Sequence, residues 1–157
     1  MRGAYDVAYH FLGSHDDAQD TAQEAFVRVH RSLGSFRGDS EFGTWLYRIV
    51  TNLSMNRLRG KKSRARFEVR ADESVDRIPA PDDGSEARYD QTAHIERALH
   101  ELPTLQRAVV MLRHLNGLST RQVSSILNCS EGTVKTHLHR GLKKMRTMLD
   151  FMAEENA

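Results

Sequence analysis

Cysteine is almost missing from this 157-residue chain: Cys129 stands alone, so no internal disulfide can form. The eight histidines are scattered and show no zinc-finger spacing. His137 and His139, two apart on an expected helix, project in different directions and make a poor metal pair. No metal or other cofactor is expected. No apolar run approaches the roughly 18 residues needed to cross a bilayer, and the N-terminus lacks the basic-then-apolar pattern of a signal peptide. A cytoplasmic protein without membrane insertion is expected. Strand-like alternation is absent at any useful length, which points to an all-α fold. Nothing groups a nucleophile, a base and an oxyanion donor, or spaces carboxylates for a metal, so no enzyme and no catalytic residue is expected.

Charge is present in abundance, and it is sorted into blocks that the formal net of +2 conceals. Arg57 to Arg70 holds seven Lys/Arg against one acid, Ala71 to Glu101 three against nine, and Leu102 to Leu149 eight against one. A phosphate backbone attracts stripes of Lys and Arg through counterion release. Two basic blocks held apart by an acidic connector therefore suggest two separate grips on nucleic acid.

Helical periodicity begins at Tyr5, Ala8, Tyr9 and Leu12, with Gly13 placed to close that helix. Ser14 is set to cap the next helix, with Asp17 in the capping-box position. Ala18, Ala22, Ala25, Phe26, Val29 and Leu33 form its expected buried stripe, while Asp16, Asp20, Gln23 and Glu24 make an acidic ridge on the outside. Gly34 to Ser40 reads as a loop, and Asp39 or Ser40 can cap a third helix. Its apolar face runs through Phe42, Trp45, Leu46, Ile49, Val50 and Leu53, and it is expected to end near Gly60. From Ala71 to Asp90, three Pro/Gly breakers and seven acids leave too little apolar surface to order the chain, which predicts a flexible acidic linker.

Periodicity resumes at Ile95, Ala98, Leu99 and Leu102, and Pro103 sits where a helix can start. Leu105, Val109, Leu112 and Leu115 line the next helix up to Asn116-Gly117. Ser119 and Gln122 then form a capping box for a short helix with Val123, Ile126 and Leu127 inward. After the turn Asn128-Cys129-Ser130, Ser130 caps a longer helix whose expected inner face is Val134, Leu138, Leu142 and Met145. This is helix-turn-helix spacing, and Thr133, Lys135, Thr136, His137, His139, Arg140 and Lys143 on the other face are donors suited to phosphates and base edges.

Eight of the eleven aromatics precede residue 50, and four lie within Phe36 to Tyr47, just upstream of Arg57, Arg59, Lys61, Lys62, Arg64 and Arg66. Aromatic faces beside a basic track suit a single strand, whose unstacked bases find new stacking partners. By their spacing Phe42 and Trp45 are expected in the core. Phe36, in a polar loop, and Tyr47, on the polar side with Arg48, Thr51, Asn52 and Asn56, are the better candidates to touch bases.

The run DAQDTAQEAFVRVHRSLGSFRGDSEFGTWLYRIVTNLSMNRLR resembles region 2 of the extracytoplasmic-function sigma factors of the sigma-70 family, and ELPTLQRAVVMLRHLNGLSTRQVSSILNCSEGTVKTHLHRGLKKM resembles their region 4. The resemblance implies two small helical domains at 1–66 and 92–149, an acidic linker at 67–91 and an acidic tail at 150–157. It implies docking of Asp16, Asp20, Gln23 and Glu24 on the beta-prime clamp of core RNA polymerase, a beta-flap contact, promoter DNA as ligand and an anti-sigma partner. Phe36, Arg37, Gly38, Asp39 and Ser40 would capture a flipped minus-ten base, with Asn52 beside them and Tyr47, Arg48, Asn56 and Arg59 along the strand. Ser130 and the outward face of its helix would read the minus-thirty-five element, with Thr136-His137 standing where many members carry Ser-Arg. Three other readings stay open on the residues alone: a regulator using only the helix-turn-helix, a sigma mimic that sequesters an anti-sigma protein, and an enzyme.

Overall fold

The computed structural model describes residues 2–39, 41–68 and 86–155, which contain seven α-helices and no strand. The chain divides into two compact units, Met1–Ala80 and Pro81–Ala157.

In the first unit, α1 (Arg2–Leu12), α2 (His15–Ser32) and α3 (Phe42–Glu68) each pack on the other two. Gly13, at φ 68°, ends α1 in the left-handed conformation that glycine adopts without strain, and its amide bonds Tyr9 O at 2.7 Å. Ser14 caps α2 by accepting from the Asp17 amide at 3.4 Å. The Asp17 carboxylate does not close a capping box; it pairs with Lys61 of α3.

The core is phased differently from the apolar pattern. On α1 the fully buried residues are Val7, Ala8 and Phe11, whereas Tyr5 and Tyr9 stay at the rim. Their phenols need polar partners, and Tyr5 finds one in His15 Nδ1. Leu33, expected in the α2 stripe, falls in a 3₁₀ turn at Leu33–Ser35 and is 53% exposed. Between α2 and α3 the core accepts small polar residues, with Thr21, Thr51 and Ser54 all fully buried. Helix α3 does not end near Gly60 but continues to Glu68. A single interior glycine costs about 1 kcal/mol relative to alanine, and the helix-favouring Arg and Lys residues around Gly60 offset it.

In the second unit, α4 (Glu86–His100) begins inside the expected linker, because Ala87, Arg88 and Gln91 favour helix; residues 69–85 lie outside the described residues. It is followed by α5 (Thr104–Val110), α6 (Thr120–Leu127) and α7 (Glu131–Glu155), with Pro103 capping α5. The expected acidic tail is helical through Glu155. Beyond α5 the backbone widens into a π-helical turn at Met111–Leu115, where Asn116 N bonds Met111 O at 3.0 Å. That extra residue per turn shifts the helical phase, so Leu112 is buried and Leu115 is 48% exposed.

Arg107 locks the α4–α5 corner. Arg107 is 4% exposed, and its guanidinium donates to the carbonyls of Leu99 (3.0 Å), His100 and Leu102 (3.3 Å) at and just beyond the end of α4. Burial pushes its pKa down, opposed by the charge of Glu101.

Candidate nucleic-acid interfaces

In the first unit the loop after α2 turns Phe36 back onto α3. Its ring centroid lies 4.8 Å from Trp45 and 6.0 Å from Phe42, and Phe42 and Trp45 are 5.8 Å apart. Far from being core, Phe42 is 45% exposed, and the three rings form a half-open aromatic cluster. Tyr47, expected to face bases, is instead turned to α1, where a Cβ added to Gly3 would lie 3.0 Å from its hydroxyl. Hydrophobic spacing misassigned this helix because Thr44, Thr51 and Ser54 take core positions that it reserves for large apolar residues.

Beside the cluster lies an open cleft of about 360 Å³, lined by Arg28, Ser32 and Ser35 from the α2 end and by Trp45, Ile49 and Asn52 from α3. The loop residues Arg37 and Asp39 are exposed, Gly38 has φ 73°, and Ser40 lies outside the described residues. Arg48, Asn52, Asn56 and Arg59 are exposed at spacings of four, four and three, so they share one face of α3. Of the basic run, Lys61, Lys62 and Arg64 are also exposed.

On the acidic ridge, Asp16, Asp20 and Gln23 are exposed and Glu24 is half-buried. Glu24 accepts from Arg28 at 2.8 Å and from Arg57 of α3 at 3.2 Å. Burial pushes its carboxyl pKa up, but the hydrogen bonds and charges of Arg28 and Arg57 outweigh this and leave it below the ordinary value.

In the second unit both expected caps form. The Ser119 hydroxyl accepts from Gln122 N at 3.1 Å, and Gln122 Oε1 accepts from Ser119 N at 2.8 Å. Asn128, at φ 53°, makes the turn, and the Ser130 hydroxyl accepts from Thr133 N at 3.1 Å. Ser130 and Thr133 also share a hydroxyl hydrogen bond of 2.9 Å, so both candidate DNA donors are engaged within the cap.

Along α7, Lys135, Thr136, His139, Arg140 and Lys143 are exposed as expected, whereas His137 is half-buried with its Nδ1 shielded and without a hydrogen-bond partner. The inner face differs at one position. Leu142 is 40% exposed and Gly141 points inward, where an added Cβ would come within 2.8 Å of Val110 Cγ2. Only glycine lets α7 approach α5 so closely. Arg140 and Lys143 also border a second open cleft of about 730 Å³, with Glu101, Gln106, Lys144, Thr147 and Met148. At the turn, burial pushes the half-buried Cys129 thiol pKa up, which disfavours its reactive thiolate.

These two units coincide with two known sequence families. Residues 1–64 match Sigma-70 region 2, and residues 93–145 match Sigma-70, region 4. The chain is 36% identical over 154 residues to the ECF RNA polymerase sigma factor SigW of Bacillus subtilis, covering 92% of this chain and 82% of that protein. The chain belongs to the extracytoplasmic-function sigma factors. It is also 36% identical over 156 residues to the factor SigE of Mycolicibacterium smegmatis, 98% of this chain but 60% of SigE's length. Among solved structures, the sigma factor RpoE in complex with the anti-sigma factor NepR, from Bartonella quintana, shares the fold at TM-score 0.76, 23% identity and coverage of 95% of this chain and 91% of that one. CnrH in complex with the cytosolic domain of CnrY aligns at TM-score 0.67 and 25% identity, over 94% and 80% of the two chains.

Within this sigma factor, sequence reasoning missed Arg28, Ser32, Ser35 and Trp45 as walls of the cleft. A partial signal was available: Arg28 and Ser32 stand at i and i+4 on α2, with Ser35 carrying the spacing into the 3₁₀ turn, and Trp45, Ile49 and Asn52 repeat at i, i+4 and i+7 on α3. Two matched stripes of this kind mark facing sides of a helix pair.

Proposed function

We propose that this chain directs core RNA polymerase to specific promoters, binding duplex minus-thirty-five DNA with α7 and capturing a melted minus-ten base in the cleft of the first unit. The observation that carries the reading is that cleft, with Asn52 and Arg28 as hydrogen-bonding walls and the Phe36–Phe42–Trp45 cluster beside it. Extracting a base from its stack costs a few kcal/mol, and stacking on an aromatic side chain returns roughly 1–3 kcal/mol per base. Melting in this scheme needs neither ATP hydrolysis nor a catalytic residue. Arg48, Asn56 and Arg59 extend from the cleft along α3 and follow the strand.

Asp16, Asp20, Gln23 and Glu24 form the docking ridge for the beta-prime clamp, and the second unit meets the beta flap. The partners are thus core polymerase and promoter DNA, with an anti-sigma protein as the third, by analogy with RpoE and its anti-sigma factor NepR. Acting with polymerase on the chromosome, the protein works in the cytoplasm. Residues 67–91 connect the two functions. The test is run-off transcription from a genomic fragment library with purified core polymerase. Transcripts that start at defined promoters only when the chain is added support the reading; identical transcripts with and without it contradict the reading.

A further inference from the structure

One acid of the docking ridge reaches into the base cleft through an arginine. Arg28 is a wall of the cleft, and its side chain is 56% exposed, so packing alone does not hold this long, flexible group in one place. Glu24, one turn earlier on α2, binds it at 2.8 Å through Oε1. The other oxygen, Oε2, takes Arg57 at 3.2 Å. Arg57 belongs to α3, the helix that also carries Trp45, Ile49 and Asn52. A single carboxylate therefore ties the arginine wall on α2 to the helix that forms the opposite wall.

Resting on the reading that the cleft takes a base, we infer that Glu24 is a positioning residue for base capture, holding Arg28 so that its remaining N–H donors meet the acceptor edge of the captured base. Guanidinium donors lie in a fixed planar fork, so their aim depends on what anchors the group. An ionised carboxylate can anchor two guanidiniums at once, one on each oxygen. A glutamine at position 24 carries no charge and puts an NH2 donor where one of the two carboxylate oxygens accepts from an arginine, and so cannot reproduce both contacts. Polymerase docking at the ridge and base recognition in the cleft then draw on the same carboxylate. A polymerase cation that engages Glu24 competes with Arg57 or Arg28, which makes the aim of Arg28 sensitive to docking.

The test uses the full chain without polymerase, so a docking role for Glu24 cannot move the result. Affinity for a single-stranded minus-ten oligonucleotide is compared with that for oligonucleotides carrying one abasic nucleotide in turn, which keep every phosphate; the ratio at the most sensitive position reports base capture. Exposed ion pairs are individually weak, so Glu24→Gln is expected to lower that ratio by about two- to fivefold. Glu24→Asp, which keeps the charge on a shorter stem, is expected to lower it less. In an Arg28→Ala background, Glu24→Gln is expected to have no further effect on the ratio. An unchanged ratio in Glu24→Gln, or equal weakening of intact and abasic oligonucleotides, overturns the inference while leaving the cleft in place. An unchanged ratio in both Arg28→Ala and Asn52→Ala overturns the cleft reading itself, and the inference with it.

Discussion

In the first unit the candidate contact is a cleft between two helices, with one wall from α2 and the other from α3; in the second it is the exposed face of a single helix, α7. A cleft exists only while its two helices keep their spacing, so its recognition depends on packing and on fixed hydrogen-bonding groups. An exposed cationic face needs no such closure, and its attraction to phosphates falls as salt displaces it. Two basic blocks that look alike in the sequence are thus used differently: in the first, Arg57 pairs with Glu24 and Lys61 with Asp17 while Arg59 and Arg64 stay exposed, whereas in the second Lys135, Arg140 and Lys143 are all exposed.

The sharpest way to separate the two regions is to remove a hydrogen-bonding wall of the cleft together with an aromatic ring beside it. Phe36→Ala with Asn52→Ala is expected to reduce open-complex formation by more than about tenfold, since one stacking interaction alone is worth roughly 1–3 kcal/mol. Permanganate reactivity of promoter thymines reads this, and binding of core polymerase is expected to stay within about twofold. Next comes packing in the second unit. Gly141→Ala drives a methyl against Val110 and is expected to destabilise that unit by about 1–3 kcal/mol in urea unfolding followed by hydrogen exchange, with protection in α1–α3 unchanged.

Smaller and diagnostic of charge, Lys135→Ala with Arg140→Ala is expected to weaken minus-thirty-five duplex binding and reduce its log–log salt slope by up to about 2, at roughly 0.9 for each phosphate no longer neutralised. An unchanged slope would remove these side chains from the DNA backbone. The smallest effect concerns acid. Because the folded-state pKa of Glu24 is lowered, its ion pairs stabilise the first unit above the unfolded carboxylate value and are lost as pH falls through the folded value. Glu24→Gln is therefore expected to flatten slightly the acid limb of the stability curve of α1–α3, measured by hydrogen exchange.

Much of this organisation could be read from the residues, because caps and turns are local. Ser14, Ser119 with Gln122, Asn128 and Ser130 each do in the structure what their spacing implies, and the helix-turn-helix follows from them. What escaped the reading depends on partners distant in sequence. The phase of α3 went wrong because buried Thr44, Thr51 and Ser54 look polar, and the exposed Phe42 looks like core. Gly141 reads as a weak point in a helix until Val110 is seen 2.8 Å from where its Cβ would be. The acidic ridge was visible as a stripe, but that its member Glu24 already holds two arginines, and that neighbouring Asp17 holds a lysine, was not.

The central claim is that one region holds a melted strand by a base and the other holds duplex by charge. Binding of the polymerase complex to a forked promoter, single-stranded across the minus-ten element, tests it directly when each nucleotide there is made abasic in turn at two salt concentrations. The account expects one position whose loss weakens binding about tenfold at both concentrations, on the scale of a single stacked base. Equal, small losses at every position, or a loss that vanishes at the higher salt, would contradict it.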